Sequence, residues 1–215
     1  MNSNMLSGEL SIWLEPIHLH FHHGDSIEVK LAWGHAMKSM QAGGPKNLKA
    51  IVIDPAGRES AAKIIQENEN MYFRLVAESG PEGIYNVQAE NCDMNSEQVR
   101  TCRWAQLQVP VGHHVHGTGR AINRGLEIVP GEYHDFHQGD EIELTVMLYG
   151  KPVPGVQVQA THHLYEGEGF LHRFITDEQG KARFTFDARG HWLFQVSKTE
   201  SDTANIATLV ISGVR

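Results

Sequence analysis

The sequence predicts an all-β chain of two tandem immunoglobulin/transthyretin-like β-sandwich domains, and three observations carry that reading. The same series of motifs occurs twice, with an offset of 139 − 24 = 115 residues. Within each copy, polar and apolar residues alternate over short stretches, the signature of half-buried strands. Turn residues punctuate those stretches at the regular spacing expected of a sandwich.

The repeat can be followed in order. Trp13-Leu14-Glu15-Pro16 is echoed by Glu127-Ile128-Val129-Pro130, and Phe21-His22-His23-Gly24-Asp25 by Phe136-His137-Gln138-Gly139-Asp140. Asp54-Pro55-Ala56-Gly57 answers Asp177-Glu178-Gln179-Gly180, and Gly83-Ile84-Tyr85 answers Gly190-His191-Trp192. Echoes in the same order mark two structural copies. The polar stretch from His116 to Arg124 separates them, giving domains at residues 1–118 and 119–215.

Each strand has its own justification. Ser26–Trp33 and Asp140–Leu148 alternate in period two. Met71–Ala77, Ile84–Ala89, Lys181–Phe186 and Trp192–Val196 read as further short strands. In Asp-x-x-Gly, Asp caps a bend and Gly accepts positive φ. Glu59–Asn68 is compatible with a short helix, and Ile17–His23 reads as a strand.

Composition narrows the function. The chain has 215 residues, a net charge of −8 and 14 histidines against 8 Phe and 5 Tyr. The negative charge and the lack of a basic stripe argue against nucleic acid and membrane surfaces as partners. No apolar run reaches the roughly 20 residues needed to span a bilayer. Met1–Gly8 lacks signal-peptide regions, which leaves a cytoplasmic chain or one whose leader has been removed. Cys92 and Cys102 could close a short loop in an oxidising compartment. No phosphate loop, nucleophile elbow or His-Glu-x-x-His motif occurs.

The histidines are where chemistry is expected. If Ile17–His23 is a strand, Ile17, Leu19 and Phe21 face a core and His18, His20 and His22 share the other face. A His-x-His pair spaced about 6.6 Å along a strand can lean onto one transition-metal ion. His113, His114 and His116 repeat the theme near the domain junction, and His35 follows a strand end with Met37 and Met40 nearby. These seven histidines form the expected ligand set. His162 and His163, being adjacent, face opposite ways on a strand, and His191 reads as a strand-entry residue.

Trp13-Leu-Glu-Pro16, Gly24-Asp25 and Trp33-Gly34-His35, followed by Gly125–Pro130, Gly139-Asp140, Gly150–Gly155, Thr176–Gly180 and Gly190-His-Trp192, resemble the DUF4198 family over nearly the whole chain. That resemblance implies a secreted, periplasmic protein that binds Ni²⁺ or Co²⁺ beside the membrane-embedded subunits of an energy-coupling-factor or ABC-type importer. Only His35 carries over from the motif match. The family often places a histidine just before the Trp-Leu-Glu-Pro motif, whereas this chain reads Gly8-Glu-Leu-Ser-Ile-Trp13. The leading expectation is therefore a non-enzymatic metal-capture protein. The alternatives are an adhesion or carbohydrate-binding tandem sandwich without metal, and a small metalloenzyme with Zn²⁺ on three histidines.

Overall fold

The computed structural model describes residues 10–40, 44–67, 72–78, 80–94, 99–113 and 115–215. The first copy contains β1 (Ser11–Pro16), β2 (Ser26–His35), β3 (Lys38–Ser39), β4 (Lys49–Ile53), β5 (Glu59–Ala61), β6 (Lys63–Glu67), β7 (Tyr72–Glu78), β8 (Gly83–Met94) and β9 (Arg100–Val111). After β10 (Gly117–Thr118), the second copy contains β11 (Leu126–Pro130), β12 (Glu132–Tyr133), β13 (Glu141–Leu148), β14 (Lys151–Pro152), β15 (Gln157–His162), β16 (His172–Ile175), β17 (Lys181–Thr185), β18 (Gly190–Glu200) and β19 (Thr203–Val214). The protein is all-β, with sandwich architecture.

The repeat is visible in register. Pro16 lies opposite Val29 in the first copy, and Pro130 lies opposite Leu144 in the second. Both copies make the same two-residue hairpin, with positive φ at Ala36 and Met37 in β2–β3 and at Tyr149 and Gly150 in β13–β14. That backbone twist matches the twist of paired strands. Gly112 N–H donates to the Phe21 carbonyl as Arg215 N–H donates to that of Phe136.

The last strands of the two copies pair in parallel, β9 with β19, and this seam joins two four-stranded halves into one eight-stranded sheet. Its order, β16-β15-β18-β19-β9-β8-β4-β5, is mirrored about the seam. The seam removes two open edges, and its strands are buried on both faces, as parallel pairing demands. Ala105, Leu107, Val109 and Val111 enter the first core, while Cys102 and Trp104 on the opposite face of β9 enter the second. Conversely, β19 gives Leu209 and Ile211 to the second core and Val210 to the first. The two copies thus lay their second sheets on opposite faces of one shared layer.

Three expectations change. Ile17–His23 is a loop, not a strand: Ile17 is 41% exposed and Leu19 45%, and only Phe21 is buried, at 3%. After Pro16 the chain must turn to start β2, and Asp25 caps that turn by accepting the His22 N–H at 2.7 Å, with Gly24 at φ +87°. Glu59–Glu67 is extended, as β5 and β6, because its backbone pairs with β4 and β7. The Asp54 and Asp177 turns share their chemistry, each carboxylate accepting the N–H four residues on. They occupy different places, however: the first joins β4 to β5, the second joins β16 to β17. Cys92 and Cys102 are direct cross-strand partners and form a disulfide. No helix among the described residues is long and apolar enough to cross a membrane.

Candidate functional site

One histidine from each cluster of the first copy meets the other at a single point. Phe21 bridges Val111 at the end of β9, and that single backbone contact sets the 17–23 loop beside Gly112-His113. The rings of His22 and His113 lie 5.2 Å apart, tilted by 53°, and both residues are exposed. His23, next in the turn, donates from Nδ1 to the Gly80 carbonyl at 2.5 Å. A proton held on Nδ1 leaves the Nε2 lone pair available, the arrangement seen in metal-binding imidazoles. Only the fold revealed His23 in this role, because its partner is 57 residues away in sequence.

The other expected ligands are dispersed around this point. His18 packs edge-on to Phe21 at 6.1 Å, and His20 and His116 are exposed. His114 lies outside the described residues. His35, at the end of β2, packs edge-on to Phe170 of the second half at 5.5 Å, beside the contact of Lys38 Nζ with the Tyr165 carbonyl at 2.7 Å. Among the described residues, no three His, Cys, Asp or Glu side chains stand close enough to hold one metal ion.

The second copy gathers histidines of a different chemical kind. His163 and His191 rings are 4.8 Å apart. The backbone N–H of His191 donates to His163 Nδ1 at 2.8 Å, and that of Gly213 donates to His191 Nδ1 at 3.2 Å. A ring nitrogen that accepts carries no proton, so both neutral rings bear theirs on Nε2. In that tautomer neither ring offers Nε2 to a metal. The relay ties the ends of β19 and β15 to the start of β18. Burial holds His191 below the ordinary histidine range, and the neighbouring His163 adds to this.

On the opposite face, His162 and His172 flank Trp192 at 4.8 Å and 5.9 Å. Burial lowers the His162 pKa, against the attraction of Asp187 and with repulsion from His163 and His172. Asp187 Oδ2 lies 3.0 Å from His172 Nε2 without hydrogen-bond alignment. The repeat held a signal for this group: the echo of Gly83-Ile84 by Gly190-His191 starts β18 beside the end of β15, where His162 and His163 stand.

The family profile described as "Domain of unknown function (DUF4198)" matches residues 11–200. No curated protein matches the chain. Among solved structures, a DUF4785 family protein from Legionella pneumophila is 12% identical, with a TM-score of 0.37, over 86% of this chain and 51% of that one. Native E. coli alpha-2-macroglobulin is 14% identical, with a TM-score of 0.34, over 96% of this chain and 14% of that one. The D0–D1 domain of intimin is 14% identical, with a TM-score of 0.29, over 94% of this chain and 97% of that one. The chain thus spans about half the length of the Legionella protein and a small part of the macroglobulin.

Proposed function

The chain belongs to the DUF4198 family, and from that premise we propose that it is a periplasmic or secreted Ni²⁺- or Co²⁺-binding protein that passes its ion to membrane-embedded importer subunits and catalyses no reaction. The observation that supports this reading best is the meeting of His22 and His113, from segments 91 residues apart (113 − 22), with rings 5.2 Å apart on the surface. His23, whose Nδ1 is committed to the Gly80 carbonyl, adds a correctly prepared imidazole to the same turn. A site with few protein ligands leaves coordination positions open to water and to an acceptor's ligands, which suits a carrier. The Cys92–Cys102 disulfide is in keeping with an oxidising compartment.

Binding requires neutral imidazole, so protons compete with the metal and occupancy falls as the pH is lowered. Calorimetric titration with Ni²⁺, Co²⁺ and Zn²⁺ at neutral pH tests the reading. A dissociation constant below about 10 μM is expected, with a loss of about tenfold or more in His22→Ala and in His113→Ala. Weaker binding of all three ions, or affinity indifferent to both substitutions, overturns it. A second reading, a tandem β-sandwich adhesion or carbohydrate-binding module without metal, is favoured by the absence of a three-ligand group among the described residues. It predicts no metal-induced change in unfolding temperature.

A further inference from the structure

A hollow of about 260 Å³ lies where the two halves meet, away from the histidine turn. Its floor is one face of the shared sheet. Lys49, Glu90 and Trp104 are successive register partners across β4, β8 and β9, with the Cys92–Cys102 disulfide and Arg100 following along the same face of β9. Arg124, from the connection before β11, and Tyr149, at the tip of the β13–β14 hairpin, complete the wall. Tyr149 is held at φ +48°, with its N–H donating to the Gly125 carbonyl, so its half-exposed ring is placed by the backbone rather than left to drift.

The charge of this hollow runs against that of the chain, which is −8 overall. Three cations line it against the single carboxylate of Glu90. Lys49 Nζ stands 3.2 Å from Glu90. Arg124 contacts Glu59 through Nη2 alone, leaving its remaining N–H groups available. Arg100 makes no ion pair with any described residue. Trp104 is only 6% exposed, its indole packed against Gly125 beneath the hollow.

We propose that this hollow is a binding site for a small oxyanion, a carboxylate or phosphoryl group, with Arg100 and Arg124 as its charged clamps over a floor that includes Trp104. Guanidinium groups suit planar and tetrahedral oxyanions through paired N–H donors. The site is independent of the metal reading, since it uses none of those histidines.

Calorimetric titration of the full chain at low ionic strength, with inorganic phosphate and separately with succinate, tests it. Saturable binding of either is expected, and the stronger response identifies the phosphoryl or the carboxylate source. Arg100→Ala should weaken binding about tenfold, with Arg100→Lys recovering part of the loss. Salt should weaken binding further by screening. Arg100 is exposed, so its variants should keep the unfolding temperature and remain readable. His22→Ala should leave oxyanion binding unchanged. Saturation by neither anion, or affinity unaltered in Arg100→Ala, overturns the proposal.

Discussion

The two halves of this protein keep one frame and fill it differently. At the register position where the first copy buries Trp13 opposite Ala32, the second buries Glu127 opposite Met147, and both are fully enclosed. Trp13 fills a hydrophobic core, whereas the Glu127 carboxylate accepts the N–H groups of Ile122 and Asn123 at 2.8 Å and 2.9 Å and so holds the connection between the halves. The histidines divide in the same way. His22 and His23 of the first copy sit on an exposed turn, with His23 Nδ1 donating to a carbonyl, while His163 and His191 of the second are spent as acceptors for backbone N–H groups. A shared strand order therefore says little about what a given position does. Partners decide that, and they come from elsewhere in the chain.

The seam gives the strongest way to break the comparison. If both cores rest on one sheet, Trp13→Ala and Trp192→Ala should each cost about 3–5 kcal/mol and lower a single common unfolding transition. Two separate calorimetric transitions, each answering to one substitution, would show instead that the halves unfold independently. Next in size is the disulfide, which only the first copy has. Cys92→Ser with Cys102→Ser should cost about 2–3 kcal/mol by chemical denaturation, the loop-entropy value for a short closed loop.

Glu127→Ala leaves two backbone donors unmet and should cost about 1–3 kcal/mol. Glu127→Gln, which keeps one acceptor, should cost less, and equal losses would remove the capping role. The smallest effect is that of pH. The folded His191 pKa is lowered, so the unfolded chain binds its proton more readily, and stability should fall as pH drops below about 6.5. Unfolding temperature measured between about pH 7 and 5.5 should decline less steeply in His191→Phe, and nitrogen chemical shifts should report Nε2–H tautomers for both His163 and His191 at neutral pH.

Much of the frame was readable because it depends on local periodicity. Ser26–Trp33 alternates and is a strand wherever its partners lie, and the Gly24-Asp25 and Gly139-Asp140 turns cap themselves. The 17–23 segment shows the limit of that logic. Its alternation of Ile, His, Leu, His and Phe imitates a strand, yet the segment spans the connection between β1 and β2 and pairs at Phe21 only through one bridge. The Asp54 and Asp177 echo misled similarly, because an Asx-type turn is local chemistry that can be installed at any hairpin.

By itself the sequence determined the all-β class and the wealth of imidazole, since each follows from residues close together along the chain, and the doubling, since the motifs recur in the same order. Tertiary structure alone decided that β9 and β19 join the copies, that Trp104 and Arg100 line a hollow completed by the other half, and which ring nitrogen of His23, His163 and His191 carries the proton. These depend on contacts between segments tens to about a hundred residues apart, and no periodicity in the intervening chain encodes them.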